Sequence, residues 1–361
     1  MIRHLYVHIP FCHRICPYCS FYKHEPGSTD LPAFLDALTS ELRAAAARWQ
    51  IQPETIYFGG GTPSLLSHAL LERWLPEFRA VLDLSALREW TVEINPRTIT
   101  AGKAALLLAH GVTRASLGVQ AWDEPTLAVL GRDHAPAEAE AAFHILRRAG
   151  FPVVNVDLMF SVPGQSVETW RDSLRRTIAL QPDHVSAYNL TYEEDTPFFD
   201  KLGAGDFARD EERDTACFSS AITLLGDAGF SHYEISNYAR PGCESLHNQS
   251  YWAGADYLGL GPGAVSTVER ARWKNIESTT LYMSHPAGGR TVEHLTDAQW
   301  ACERIALELR TTRGVALTHL PHPARIADLM ENGMAEVTGE RLRLTPHGKF
   351  LADSIAAHLW A

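Results

Sequence analysis

The sequence predicts an α/β protein, an open and partial barrel of six βα units followed by a small helical module that resembles a winged helix. Residues 1–235 alternate short apolar or β-branched runs with amphipathic stretches, the pattern of βα units around a parallel sheet. Polar and glycine residues cluster where the predicted strands end, and the C-terminal strand ends carry the chemistry of βα barrels. Six units are too few to close an eight-stranded barrel, so we expect an open mouth that suits a large substrate.

The predicted elements follow in order along the first region. Six strands are expected, at residues 5–9, 55–58, 90–94, 115–119, 153–158 and 184–189. Asp30 can cap the first helix and Pro32 suits its first turn. Leu35, Leu38 and Leu42 lie on one apolar stripe of that helix. Further helical patterns lie at residues 65–82, 101–110, 136–149, 166–180 and 209–228.

The pattern divides the chain into three regions. Residues 1–235 form the barrel, residues 236–290 are rich in Gly, Asn and Tyr and look irregular, and residues 291–361 form a second unit. That unit should contain helices through Trp300 and at 324–330, a hairpin at 336–344 and a last helix at 346–359. This order is typical of a winged helix. Arg341 and Arg343 alternate on one predicted strand, which favours a solvated face over a DNA contact.

The composition argues against several classes of protein. The net charge of −11 over 361 residues disfavours nucleic acid or an anionic membrane as the partner. No apolar run reaches the roughly 18 residues that a membrane span needs. The first residues run directly into a predicted strand and do not have the pattern of a signal peptide. Six cysteines, three of them clustered, fit a reducing cytoplasm.

Cys12, Cys16 and Cys19 form the most specific motif, a Cys-x3-Cys-x2-Cys spacing just after the first predicted strand. Three thiolates so close together can hold three irons of a 4Fe-4S cube and leave the fourth iron open to a small molecule. A structural zinc site is an alternative, with His8 or His13 as the fourth ligand. Disulfides would require even pairing and an oxidising compartment.

Polar and glycine residues at other strand ends point to a ligand site. The glycine run at 59–61 would let the backbone approach a ligand closely. Glu93 and Asp157 are carboxylates in apolar strands, where a charge is costly unless a ligand or an ion pair satisfies it. Gln120 lies just past the fourth strand. Arg132 could bind a ligand carboxylate through two parallel hydrogen bonds.

These motifs follow one another in an order that resembles that of the radical S-adenosylmethionine proteins, and among them the oxygen-independent coproporphyrinogen III oxidase group. The resemblance covers essentially the whole chain. It implies a partial (β/α)6 radical SAM barrel with a 4Fe-4S cluster on the three cysteines and S-adenosylmethionine on the open iron. The residues that it places against S-adenosylmethionine are Tyr6, Tyr18, Gly60, Gly61, Thr62, Glu93, Gln120, Arg132, Asp157 and, matched by position rather than residue type, Thr191 and Val265.

The two branches of this group differ in one cysteine. The oxidase branch has a fourth cysteine two residues after the third, and Phe21 stands at that position here. The HemW-type heme-chaperone branch lacks this cysteine and has a heme motif. The residues that match that motif are His247, Asn248, Tyr251 and Trp252. An imidazole can ligate iron and aromatic rings suit a macrocycle, and Cys243 would be a second soft ligand.

The resemblance therefore implies a cytoplasmic heme chaperone that binds heme and passes it to an acceptor protein. An electron donor for the cluster would be a further partner, and a homodimer is left open. The alternative is the oxidase, which carries out radical oxidative decarboxylation of coproporphyrinogen III in porphyrin biosynthesis. Because the heme motif lies outside the six βα units, we expect heme and the cluster at distinct sites.

Cysteine replacement tests the cluster. Cys12→Ala, Cys16→Ala or Cys19→Ala should each abolish it, because three thiolates are the minimum for a cube with one open iron. Iron and acid-labile sulfide per chain after anaerobic reconstitution are the measurement. The matched controls, which should keep the cluster, are Cys217→Ala, Cys243→Ala and Cys302→Ala. A full cluster in any of the first three variants would contradict the assignment.

Overall fold

A nine-stranded sheet forms the centre of the computed structural model, which describes residues 1–360. Its strands are β1 (Ile2–Ile9), β2 (Ile51–Gly60), β3 (Glu89–Ile94), β4 (Arg114–Gln120), β5 (Val153–Phe160), β6 (His184–Asn189), β7 (Ser231–His232), β8 (Asn237–Ala239) and β9 (Leu258–Leu260). Strands β1 to β6 lie side by side in chain order and are parallel. The six predicted strands and the α/β class are therefore confirmed.

Helices connect the strands. They are α1 (Leu31–Arg48), α2 (His68–Arg79), α3 (Ala101–Ala109), α4 (Glu124–Val129), α5 (Pro136–Ala149), α6 (Val167–Ala179), α7 (Pro197–Ala204) and α8 (Glu211–Asp227). The predicted start of α1 is confirmed, since the Asp30 side chain accepts from the Ala33 amide and Pro32 lies in the first turn. The short helices α4 and α7 were not predicted, because six to eight residues give little periodicity.

The region at 236–290 is not irregular, contrary to the prediction. Strand β9 pairs in parallel with β1, and β8 and β7 extend the other edge of the sheet in antiparallel fashion. The remaining elements are α9 (Leu246–Trp252), β10 (Val265–Val268), β11 (Ala271–Lys274), α10 (Thr279–Ser284) and β12 (Thr291–His294). Strands β10 to β12 form a separate antiparallel sheet. Elements this short show no readable period, which explains the error.

The C-terminal elements surround a hydrophobic cluster of their own, with Ile305, Leu309, Leu342 and Ile355 at its centre. They are α11 (Asp297–Leu309), β13 (Val315–Ala316), α12 (Pro323–Glu331), β14 (Ala335–Thr338), β15 (Arg341–Leu344), α13 (Pro346–Phe350) and α14 (Ala352–Trp360). The predicted single last helix is wrong, because Leu351, with a φ of −109°, separates α13 from α14. The winged-helix resemblance and the three region boundaries stay predictions.

Burial of apolar side chains on both sides of the parallel sheet stabilises the barrel. Val7, Phe58, Trp74, Trp90 and Leu158 are almost completely buried in the main core. Each side chain of this size contributes about 1.5–3 kcal/mol when it leaves water. Among residues 1–360, none of the helices combines the length and the apolar character that crossing a membrane requires.

A buried ion pair holds α9 against the barrel. Arg114 Nε donates to Glu89 Oε2 at 3.1 Å, and both side chains are almost fully buried at the starts of β4 and β3. The Glu89 carboxylate also accepts from the backbone amides of Leu246 and His247, at 3.0 and 2.9 Å. Arg114 Nη2 donates to the Cys243 carbonyl at 2.5 Å. The first turn of α9 is thereby fixed to the N-terminal ends of two strands.

Removing one partner of this ion pair should be strongly destabilising. Arg114→Met leaves the Glu89 charge buried without its cation, and we expect a loss of about 3–5 kcal/mol in the free energy of unfolding. The control is Arg3→Met, which breaks the exposed pair with Glu54 and should cost about 0–1 kcal/mol. Urea unfolding measures both. Equal losses in the two variants would contradict a special role for the buried pair.

Candidate functional site

A cavity of about 470 Å³ opens at the C-terminal ends of the parallel strands; we call it the rim cavity. All three clustered cysteines line it. The predicted residues that also line it are Tyr18, Gly60, Gly61, Thr62, Glu93, Gln120, Arg132 and Asp157. They come from the ends of separate strands and from the loops that follow, because parallel strands bring their C-terminal ends to one edge.

Each cysteine has a polar neighbour. Cys12 Sγ accepts from Thr62 Oγ1 at 3.8 Å, and Cys16 Sγ accepts from Arg132 Nη1 at 3.5 Å. Lys23 Nζ donates to the Cys19 carbonyl. Burial raises the pKa of the Cys12 thiol to about 11 and also raises the pKa of Cys19. Such thiols stay protonated at neutral pH unless a metal ion replaces the proton.

The surroundings do not favour a single zinc ion. Both ring nitrogens of His8 have partners, since Nδ1 lies 3.0 Å from the Tyr6 hydroxyl and Nε2 lies 2.7 Å from the Tyr22 carbonyl. His13 Nδ1 lies 3.0 Å from Asp133 Oδ2. Within residues 1–360, no group of three His, Cys, Asp or Glu side chains converges as ligands of one ion. Thiolates that each bind a different corner of a cube need not converge on one point.

Glycine is required at the end of β2 and just after it, because neighbouring parts of the chain come too close for a side chain there. Gly60 has a φ of +100°, and a Cβ there would overlap the His8 ring. A Cβ at Gly61 would lie 2.6 Å from the Pro10 backbone, and one at Gly59 would lie 2.8 Å from Glu93 Oε1. Side chains at these positions would therefore displace the loop that carries the cysteines or the Glu93 carboxylate.

Two half-buried carboxyl groups line the rim cavity. Glu93 accepts from the Tyr57 hydroxyl at 2.8 Å and from the Gly60 amide at 3.2 Å. Burial raises the pKa of Glu93 to about 7. Asp157 accepts from Ser116 Oγ at 2.9 Å, and burial raises its pKa as well. A ligand ammonium or hydroxyl beside these groups would favour their ionised forms.

Arg132 provides cationic donors close to the cysteines. Its Nη2 donates to the Gly118 carbonyl at 2.9 Å, whereas its buried Nε has no partner. A buried donor without a partner costs free energy, and a ligand carboxylate would satisfy it. The three thiols, the glycine turn and this unpaired donor therefore fit a small zwitterion bound beside an iron–sulfur cluster.

Three further predicted residues lie elsewhere. Tyr6 is outside the cavity lining, although its ring centroid lies 6.1 Å from that of Tyr57. Thr191 is exposed, and its hydroxyl donates to Glu193. Val265 begins β10 and lines a second cavity instead. The structure therefore does not bring Thr191 and Val265 to the rim cavity.

Sequence reasoning missed several residues of the rim cavity. The side chains concerned are Tyr57, Asn95, Ser116, Met159 and Tyr188. Tyr57 could have been found, because it lies two residues before Gly59 and so shares its face of the strand. Asn95 and Met159 carry the same signal, since they lie two residues after Glu93 and Asp157, whereas Ser116 and Tyr188 give none until the strands are aligned in register.

The segment with the heme motif is a helix, within the region that was predicted to be irregular. Ser245 caps α9, and His247 lies in its first turn with Nδ1 2.9 Å from Thr55 Oγ1. The His247 ring packs 5.2 Å from Tyr57, and burial lowers the pKa of His247 to about 3. Asn248 lines the rim cavity. One residue of the motif thus lines the same cavity as the cysteines, and the expectation that heme and the cluster occupy distinct sites stays a prediction.

Tyr251 and Trp252 lie near the other end of α9. Tyr251 lines a second cavity of about 380 Å³, which we call the aromatic cavity because Tyr257 and Trp300 also line it. Trp252 is half-buried and contacts Tyr251 edge to face, with the ring centroids 5.3 Å apart. The helix therefore lies between two cavities and contributes a side chain to each.

Comparison with known proteins first identifies the class. Residues 6–177 match the family model of the Radical SAM superfamily. The solved structure of Escherichia coli coproporphyrinogen III oxidase (HemN), a radical SAM enzyme, has the same fold with a TM-score of 0.83. The two sequences are 23% identical, and the matched region covers 99% of this chain and 90% of the oxidase chain. Residues 6–177 are therefore a Radical SAM domain, a class that implies a 4Fe-4S cluster and S-adenosylmethionine.

Sequence relatives then identify the family. The chain is 32% identical over 367 residues to the heme chaperone HemW of Bacillus subtilis, with 97% of both chains covered. It is 37% identical over 303 residues to the heme chaperone HemW of Escherichia coli, covering 82% of this chain and 78% of the relative. The chain belongs to the HemW family, and the predicted family is confirmed.

The raised pKa of Glu93 predicts a pH-dependent stability. The folded protein binds this proton more tightly than the unfolded chain, whose ordinary pKa is 4.5. The contribution of Glu93 is therefore fully present below pH 4.5 and is lost as the pH rises through about 7. Glu93→Gln is neutral throughout, so its unfolding free energy relative to wild type should rise with pH by on the order of 3 kcal/mol.

Urea unfolding of the cluster-free protein between about pH 4 and pH 8 measures this difference. Glu72→Gln, which changes an exposed carboxylate, is the matched control and should show no such trend. A constant difference between Glu93→Gln and wild type across this range would show that Glu93 ionises normally.

Proposed function

We propose that this protein is a heme chaperone that binds heme and transfers it to an acceptor protein, while the rim cavity holds the cluster and S-adenosylmethionine. The observation that carries the proposal is the position of α9. This helix bears the residues that match the HemW-type heme motif and lies between the rim cavity and the aromatic cavity. Relatives that match nearly the full length of the chain are named heme chaperones.

In the rim cavity, Cys12, Cys16 and Cys19 would hold three irons of the cluster. The open iron would bind the amino and carboxylate groups of S-adenosylmethionine. Arg132 has a free donor for the carboxylate, and Glu93 beside the glycine turn offers an acceptor for the ammonium. Asp157 has acceptor capacity for a hydroxyl of the cofactor.

At α9, the proposed heme contacts are His247, Asn248, Tyr251 and Trp252. Tyr251 is the most accessible of them, with 44% of its surface exposed. His247 contacts Thr55 and Tyr57 inside the barrel, so it also positions the helix. A heme carrier of this kind would act in the cytoplasm with an acceptor protein and an electron donor as partners.

The oxidase is the weaker alternative. At the position of the fourth cysteine of the oxidase branch, this chain has Phe21, which lines the rim cavity and is 66% exposed. An apolar ring cannot replace a thiol as ligand or as proton donor. The similarity to the solved oxidase structure, at 23% sequence identity, shows the fold alone.

Parallel assays on one anaerobically reconstituted sample test the proposal. Wild-type protein should bind added heme with a Soret band, pass it to an apo heme protein and leave coproporphyrinogen III unchanged in the presence of reductant and S-adenosylmethionine. Cys16→Ala, which lacks the cluster, should still bind heme, because the initial binding of heme should not require the cluster. Phe21→Cys should not gain decarboxylase activity. Turnover of coproporphyrinogen by a wild-type protein that ignores heme would establish the oxidase instead.

A further inference from the structure

One face of the strand pair β2 and β3 extends from α9 to the rim cavity. Side chains two residues apart lie on the same face of a strand, so Thr55, Tyr57 and Gly59 share one face of β2. Glu89 and Glu93 share the matching face of β3, which pairs with β2 in parallel. Glu89 binds the first turn of α9 at one end of this face, and Glu93 lines the rim cavity at the other end. Tyr57 lies between them.

Tyr57 contacts both ends of this face. Its hydroxyl donates to Glu93 Oε1 at 2.8 Å, and its ring centroid lies 5.2 Å from that of His247 in the first turn of α9. Burial raises the pKa of Tyr57 well above its ordinary value, so the hydroxyl keeps its proton and is a donor at neutral pH. Tyr57 lines the rim cavity, whereas His247 does not. One side chain therefore connects the heme-motif helix to a carboxyl group of the proposed cofactor site.

Tyr57 is the principal partner of the Glu93 carboxyl group. The second oxygen, Oε2, accepts from the Gly60 amide at 3.2 Å, a longer hydrogen bond than the one from Tyr57. Burial raises the pKa of Glu93, and the Tyr57 hydroxyl lowers it more than the Gly60 amide does. A Cβ at Gly59 would lie 2.8 Å from both Glu93 Oε1 and the Tyr57 ring, so these two side chains occupy the space beside that glycine. Tyr57 thus orients the carboxyl group and favours its ionised form.

Residues outside the rim cavity hold the Tyr57 ring in turn. His247 packs against this ring and places its own Nδ1 2.9 Å from Thr55 Oγ1. The backbone amide of His247 donates to Glu89 Oε1 at 2.9 Å, so both its main chain and its side chain are fixed to the strand pair. A shift of α9 would therefore shift the Tyr57 ring and, through the hydroxyl, the Glu93 carboxyl group.

We propose that Tyr57 is a positioning residue of the S-adenosylmethionine site, which orients Glu93 toward the ammonium group of the cofactor and makes that orientation depend on His247. This inference rests on the proposed function, because it requires S-adenosylmethionine in the rim cavity. Tyr57 and Gly60 occupy two of the roughly four lone-pair sites of a carboxylate, so others are free for an ammonium group. His247 then acts on the cofactor site without touching it and without heme.

Calorimetric titration of the anaerobically reconstituted protein with S-adenosylmethionine, in the absence of heme, tests this role. Tyr57→Phe keeps the ring and removes the hydroxyl, and it should weaken the affinity roughly fivefold. The matched control is Tyr238→Phe, which removes a buried hydroxyl that has no partner and lies outside the rim cavity; it should bind as wild type does. Affinities are compared at equal iron content per chain.

A second substitution separates positioning from a general structural effect. In Glu93→Gln the ammonium group loses its charged acceptor, so Tyr57 has no carboxylate left to orient. Tyr57→Phe should therefore weaken the affinity less than about twofold in the Glu93→Gln background, because residues that act through one group are not additive. A loosened fold would weaken binding by the same factor in both backgrounds.

The His247 contact is tested in the same way. His247→Ala should weaken the affinity for S-adenosylmethionine roughly threefold, and His247→Phe, which keeps a ring against Tyr57, should restore most of it. His247→Ala should add little to Tyr57→Phe, and this pair keeps the test decisive if Glu93→Gln binds too weakly to titrate. The control is Gln249→Ala, which changes an exposed residue of the same helix and should bind as wild type does. Thermal unfolding identifies any variant that fails to fold.

The outcomes distinguish this role from the proposed function. If wild type binds S-adenosylmethionine and Tyr57→Phe binds it equally well, the role of Tyr57 is wrong and the proposed function stands. If wild type with a full cluster binds no S-adenosylmethionine, the proposed cofactor site fails and the role fails with it. Losses that simply add in the double variants also overturn the role. Losses in Tyr57→Phe and His247→Ala that do not add establish it.

Discussion

The buried ion pair of Glu89 and Arg114 is the interaction on which the rest of the structure depends. Neither charge has water to solvate it, so both need hydrogen-bond partners inside the protein. The additional partners are amides at the start of α9 and the Cys243 carbonyl, so that helix and the segment before it supply hydrogen bonds to both charges, while the buried Arg114 Nη1 has no partner. The helix in turn brings Asn248 to the rim cavity and Tyr251 to the aromatic cavity.

A line of hydrogen bonds joins the rim cavity to the cap of the same helix. Asn155 Nδ2 donates to Asp157 at 2.6 Å, and the Asn155 oxygen lies 2.7 Å from His184 Nδ1. Burial keeps the pKa of His184 well below its ordinary value, so the ring is neutral and its Nδ1–H donates. Nε2 then accepts from the Tyr233 hydroxyl at 2.8 Å, and the Tyr233 oxygen accepts from the Ser245 amide. Each group in this line can therefore donate or accept in only one direction, because its neighbour takes the complementary role.

The features that could be predicted from the sequence are those that short stretches of residues determine by themselves. The six parallel strands were readable from apolar runs, and Glu93 and Asp157 were recognisable because carboxylates in apolar strands need a specific reason. The three-residue strand β9 and the helical form of the heme motif were not readable, because pairing with distant residues stabilises them. The aromatic cavity was equally hidden, since Tyr251 and Trp300 meet only after the C-terminal helices fold against α9.

The heme motif lies far from the βα units along the chain but not in space. Residues 246–252 follow the last βα unit in sequence, yet Glu89 and Thr55 hold them against the inside of the barrel, where Asn248 joins the cavity of the cysteines. The two cavities are distinct in their linings but share one seven-residue helix. Asn248 and Tyr251 are three residues apart and therefore about one turn from each other on this helix, so the contacts that position α9 determine where both side chains lie.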